Sequence, residues 1–119
     1  MTGAMVISWG TPVRGREAKA LETFGHAIER FEQLAKSGRI HGHKELIAIT
    51  GRSGGMMIVE GEVEELLKIQ SEDEQLRLQA RAASIVEDFR VDIYTGGSDR
   101  AVQESMNRYV ETLQELGYL

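Results

Sequence analysis

The densest chemistry in this sequence is an alternating row, His41-x-His43-x-Glu45. On a strand, residues two apart share a face and lie roughly 6.5–7 Å apart, so the row would aim two imidazoles and a carboxylate at one point. Such a set can relay a proton or begin to grip a metal. The plainer reading is a solvated stretch of edge strand. Alternation assigns Ile40, Leu46 and Ala48 to the helix-facing side and the two histidines to the opposite side, toward a partner sheet. No second cluster of ligand-type residues supports a metal site, so neither a metal nor a cofactor is expected. The third histidine, His26, lies opposite an apolar helical stripe and reads as a surface residue.

A second concentration of reactive types falls between Trp9 and Glu17. It holds the only tryptophan, the only proline (Pro12), two cations (Arg14 and Arg16) and a carboxylate. Arg14 and Arg16 flank a helix start, where positive charge is unfavourable unless an anion shares the site. Glu17 falls on the helix's apolar stripe, where partial burial would raise its pKa toward a value useful for proton transfer. As a plain alternative, a carboxylate in a first helical turn simply complements the helix dipole. Trp9 either floors a pocket or fills core. Catalytic candidates are therefore Glu17, His41 and His43, and ligand-binding candidates are Trp9, Arg14 and Arg16. The loop Gly51-Arg52-Ser53-Gly54-Gly55 lacks the lysine and hydroxyl of a phosphate cradle and reads as a hairpin turn.

The elements that must position these residues follow from periodicity. A first strand runs from about Ala4 to Gly10. Ala18, Leu21, Phe24, Ile28, Phe31 and Ala35 recur at steps of three and four, which predicts a helix over Arg16 to Lys36 that ends at Ser37-Gly38. Strands follow over about Arg39 to Thr50 and Met56 to Val59. A short helix over Glu62 to Gln70 buries Val63, Leu66 and Leu67. Ser71 and Glu74 have the spacing of a capping box, which starts a new helix running to about Val86, its alanines packed closely on the sheet. A fourth strand, Asp88 to Thr95, alternates Phe89, Val91 and Ile93 against Arg90, Asp92 and Tyr94. Ser98 caps a last helix with Val102, Met106, Tyr109, Leu113 and Leu116 on one face.

Two successive strand-helix-strand units with right-handed crossovers make a four-stranded antiparallel sheet, with the first and third strands central. The composition agrees. Met5-Val6-Ile7-Ser8-Trp9 and Met56-Met57-Ile58-Val59 barely alternate, as expected of strands covered on both faces. The helices suffice for one face only, so a second copy of the chain is expected on the other. Aspartate at Val59 or Ile7, whichever faces the partner, would test it.

The 119 residues suit one domain, 1–119, with 41% hydrophobic and 28% charged residues. A net charge of −5 lacks the basic stripe that nucleic acid requires. There is no cysteine, which suits a reducing cytoplasm. No basic-then-apolar leader opens the chain, and no apolar run approaches the roughly 20 residues of a bilayer span. A cytoplasmic protein without membrane or nucleic-acid partners is expected.

The run Trp9-Gly10-Thr11-Pro12-Val13-Arg14-Gly15-Arg16-Glu17-Ala18-Lys19-Ala20-Leu21 resembles the opening of a group of uncharacterised bacterial proteins within the dimeric α/β-barrel superfamily. Ser71-Glu72-Asp73-Glu74 before Leu76, and Arg81-Ala82-Ala83, resemble that group too. The element order gives an α+β fold, a ferredoxin-like βαββαβ sheet with an extra C-terminal helix; the resemblance implies in addition a dimeric α/β barrel, two such sheets packing face to face. That superfamily includes cofactor-free oxygenases, haem-degrading enzymes, isomerases and ligand-sensing domains, and fold does not choose among them. Haem-degrading members use an asparagine, a histidine and a tryptophan, whereas the single asparagine here, Asn107, lies in the last helix. The leading expectation is a homodimer that binds a small anionic or polar organic molecule at the first strand–helix junction. The alternatives are a cofactor-independent monooxygenase or isomerase using Glu17 or a histidine, and a structural or regulatory assembly module. Whether the chain is an enzyme is left open by its residues.

Overall fold

A computed structural model describes all 119 residues. The elements are β1 (Thr2–Trp9), α1 (Glu17–Lys36), β2 (Gly42–Ile47), β3 (Gly55–Glu62), α2 (Val63–Gln70), α3 (Asp73–Ala83), β4 (Arg90–Thr95) and α4 (Asp99–Glu115). The strands form one antiparallel sheet in the order β2-β3-β1-β4. The two unalternating strands are thus the central pair, as their composition requires. No helix is long and apolar enough to cross a membrane.

The faces of the central pair are unequal. Met5 pairs with Val59 and Ile7 with Met57, and all four point into the core with Phe31 and Leu34 of α1 and Leu66 and Ile69 of α2. On the other face lie Ala4, Val6, Met56 and Ile58, only partly buried. Leu46 beside Met56 and Tyr94 beside Ala4 extend that apolar surface onto the edge strands, both at least half exposed. Val59 and Ile7 therefore face the chain's own helices. Val6 and Ile58 are the residues on the open side.

The face of α1 is rotated from the expected one. Thr23, Ala27, Phe31 and Leu34 are its buried residues, whereas Ala18 is exposed and Leu21 is 74% exposed. At 100° per residue this is roughly a quarter turn. Large side chains dominated the sequence stripe, but the helix turns small ones, Thr23 and Ala27, to the sheet. Its C-terminus is as expected, with Gly38 at φ 78°.

The junction of α2 and α3 is held by charge and not by a capping box. Ser71 caps the end of α2 and donates to the Lys68 carbonyl at 2.8 Å. Glu72, the residue before α3, makes no side-chain cap, and Glu74 pairs with Arg30 of α1 at 2.9 Å. Arg30 also reaches Glu72 at 3.3 Å, and Arg39 binds Glu72 at 2.9 Å and Glu65 at 2.6 Å. Glu72 thus clamps α1 and the chain leading to β2 onto the helix junction. In α2 the inner residues are Val63, Leu66 and Ile69, with Leu67 exposed instead. Ser98 caps α4 as expected, its hydroxyl accepting from the Ala101 amide at 3.1 Å.

Hydrogen bonds from Arg39, helped by the charges of Arg39 and Arg30, hold the Glu72 carboxyl below the usual carboxylate range. A folded-state pKa lowered in this way gives stability that is complete above the unfolded value, about 4.3, and is lost as pH falls through the lowered value. Thermal melts of Glu72→Gln against wild type should show a deficit at neutral pH that shrinks below about pH 4. A deficit independent of pH would contradict the clamp.

Candidate functional site

A cleft of about 620 Å³ lies on the helix side of the sheet, between α1 and α3. Ile7, Trp9 and Met57 come from the central strands. Ala20, Leu21, Thr23, Phe24 and Ala27 of α1 form one wall, and Gln75, Leu78, Gln79 and Ala82 of α3 form the other. The segment Gly10–Pro12 closes one end, bonded to the chain after α3 through Gly10 N to Glu87 O at 2.7 Å and Glu87 N to Thr11 O at 2.9 Å. Its Pro12 bridges Val86.

The cavity exists because its walls are built of small residues. Elsewhere α1 drives Phe31 and Leu34 into the core, whereas along the cleft it presents Ala20, Thr23 and Ala27. On α3, Ala82 leaves room and Ala80 and Ala83 are exposed, so the alanines do not seat that helix tightly on the sheet. Close-packed interiors leave few voids beyond the size of a water molecule, and a cleft of this volume falls in the range of small-molecule sites.

Trp9 stands at the centre of this arrangement. Its ring meets Phe24 edge-on, centroids 5.6 Å apart at 64°, a favourable geometry for aromatic pairs. The β2–β3 loop seats it from below. A Cβ on Gly54 would stand 1.8 Å from the Gly10 carbonyl oxygen and 2.8 Å from the indole Cδ1, so only glycine fits. The glycines read as a hairpin turn thus also admit the indole.

The polar groups of the cleft are few and largely satisfied. Gln75 is fully buried. Its Oε1 accepts from Arg30 Nε at 2.7 Å, and its Nε2 donates to Gln79 Oε1 at 2.9 Å. Glu17 is the one charged residue lining the cleft, and it is exposed. The rotation of α1 carries it to the flank, where it stands exposed in the first helical turn, in keeping with the plainer of its two readings. Its carboxylate turns back to accept the Gly15 amide at 2.7 Å, in the turn that precedes the helix.

Arg14 and Arg16 do not line the cleft. Arg14 is exposed, and Arg16 Nη1 donates to the Ser84 carbonyl at 2.5 Å, tying the start of α1 to the end of α3. Trp9 and Glu17 are therefore brought together while the two cations face elsewhere. The cleft at this junction is lined mainly by apolar residues and by neither arginine.

The histidine row is also rearranged. β2 begins only at Gly42 and pairs His43 with Val59 and Glu45 with Met57, which places both on the helix side. The bend over Arg39–His41 breaks the alternation: Ile40 is buried, and His43 resumes the inner side after it. His43 Nδ1 donates to Glu45 Oε1, and its ring lies 6.3 Å from that of Phe31. His41 is exposed, with Nε2 3.7 Å from Glu62. The three residues do not converge, and no three histidine or acidic side chains in the structure are grouped to hold a metal. Leu46, assigned to the helix side from sequence, faces the open side. His26 is exposed, as expected.

The cleft residues missed in the sequence are Thr23, Ala27, Gln75, Leu78 and Phe89. For Thr23 and Ala27 the signal was the helical spacing of small residues with Ala20, which a search for large apolar side chains passes over; Gln75, Leu78 and Phe89 join the cleft only through the tertiary fold.

No protein-family model matches the chain, and no curated protein matches it. Among solved structures, it is similar to a crystal structure of a dimeric protein of unknown function and ferredoxin-like fold from Bacteroides fragilis NCTC 9343, with a TM-score of 0.59 at 12% identity. The alignment covers 78% of this chain and 94% of that one. The fold is ferredoxin-like. The expected α+β class, strand order and extra C-terminal helix all hold.

Replacing Gln75 with leucine tests how the cleft wall is held. The substitution leaves Arg30 Nε without its acceptor, at a cost of about 1–3 kcal/mol. Chemical denaturation should show this loss, and an unchanged midpoint would show that Gln75 does not brace α3 against α1.

Proposed function

We propose that the protein is a cytoplasmic homodimer that binds a small, largely apolar organic molecule in the cleft between α1, α3 and the sheet. The carrying observation is the cleft itself: about 620 Å³, with 13 of its 21 lining residues hydrophobic. Its polar points are the Gln75–Gln79 pair on one wall and Glu17 at the mouth. Binding sites of this kind are mostly apolar with a few placed polar groups. A flat or short-chain molecule would stack near Trp9 and Phe24 and hydrogen-bond to the Gln79 amide.

The arrangement favours binding over proton-transfer catalysis. An acid or base at work must lie within reach of the substrate's proton. His41 and His43 lie outside the cleft lining, and Glu17 is exposed and bonded to its own helix start. The homodimer rests on the open sheet face, on the likeness of Trp9–Leu21 to a group within the dimeric barrels, and on the dimeric state of the similar Bacteroides fragilis protein.

Trp9 is the sole tryptophan, so its fluorescence reports on the cleft directly. N-phenyl-1-naphthylamine should quench it saturably at micromolar probe in wild type. Ala20→Phe, which fills the α1 wall, should reduce that affinity by tenfold or more while leaving the far-UV circular dichroism unchanged. Equal affinity in the two proteins, or no saturable binding in wild type, would overturn the cleft as a ligand site.

A further inference from the structure

The last helix carries an apolar stripe that the chain's own body does not use. α4 meets the rest of the molecule along Ala101, Ser105 and Arg108. Ala101 is buried, Ser105 is partly so, and Arg108 Nη2 lies 3.8 Å from the Met1 sulfur. A quarter turn away, at 100° per residue, run Val102, Met106, Tyr109, Leu113 and Leu116. Four of these five are 51–62% exposed. Exposed apolar surface of this extent marks an interaction site.

The spacing of the stripe says what fits it. Its steps are four, three, four and three, the repeat that places one helix seam against another. Between Val102 and Leu116 the flanking positions, Gln103, Ser105, Val110 and Thr112, carry no charge, so a like helix meets no like-charge repulsion along that stretch. Glu104, Glu111 and Glu115 lie on the opposite side of the helix and stay in water. A seam of this pattern is complementary to itself.

We propose that α4 pairs with α4 of a second copy of this chain through Val102, Met106, Tyr109, Leu113 and Leu116. The inference rests on the homodimer reading above and adds a second contact to it. Four half-exposed side chains and the partly buried Leu113 fall short of the roughly 800 Å² per partner that a stable interface buries. The helix pair therefore works as a clasp on the sheet-face dimer and not as an independent coiled coil.

The chain has no cysteine, so single introduced thiols report on proximity. Tyr109 is the middle residue of the seam and meets its mate in either a parallel or an antiparallel pair, whereas Glu111 points away. Under mild oxidation at micromolar protein, Tyr109→Cys should give a covalent dimer and Glu111→Cys should not. Met106→Asp combined with Leu113→Asp should weaken the dimer tenfold or more by sedimentation equilibrium, with unchanged far-UV circular dichroism. A wild-type dimer whose affinity survives that double substitution, with no preferential cross-link at 109, overturns the helix pairing and leaves the sheet-face dimer standing. A monomeric wild type overturns both.

Discussion

The structure depends on a mismatch between its central strands and its helices. β1 and β3 are apolar on both sides, and α1, α2 and α3 pack on one side. Met5, Ile7, Met57 and Val59 are at most 6% exposed, and these contacts supply the main hydrophobic term. Val6 and Ile58, back to back with them, gain little from the chain's own helices. Fuller burial of their face needs material from outside the chain's own helices, the part that the proposed homodimer gives to a second sheet.

The helix side has its own compromise. Where α1 and α2 put Phe31, Leu34, Leu66 and Ile69 against the sheet, the core is closed. Where α1 and α3 put Ala20, Thr23, Ala27 and Ala82, it opens into the cleft. The Arg30, Arg39 and Glu72 clamp holds α3 at its distance from α1, and the Gln75 bond to Arg30 joins that clamp to the cleft wall. Gly54 and Gly55 then let the β2–β3 loop close over the indole of Trp9. Opening the core at one place is made tolerable by the ion pairs beside it and by the Gln75 hydrogen bonds in its wall.

Much of this is legible in the sequence, and the failures have physical causes. The strand order and the central position of β1 and β3 follow from unalternating composition together with the handedness of crossovers. The Ser98 cap and the Gly38 stop are local signals that the structure keeps. The face of α1 was misjudged because a stripe of large side chains outweighs small ones, while packing against a sheet beside a cleft favours Thr23 and Ala27. The row His41, His43 and Glu45 was misjudged because alternation was carried through a bend that resets it. Ser71 and Glu74 have capping-box spacing, but Arg30 is a stronger partner for Glu74, a charge-assisted contact no local pattern records. The cleft emerges only when three separate elements are brought together; of the residues singled out near Trp9 in the sequence, Trp9 and Glu17 line it and Arg14 and Arg16 do not.

The central claim is that the open face of β1 and β3 is covered by a second copy of the chain. Ile58 tests it most directly, because it lies at the middle of that face and outside the core cluster. Light scattering at micromolar concentration should give twice the chain mass for wild type and a single chain mass for Ile58→Asp, with native circular dichroism in both. A monomeric wild type, or an Ile58→Asp variant that dimerises as tightly as wild type, would contradict the account.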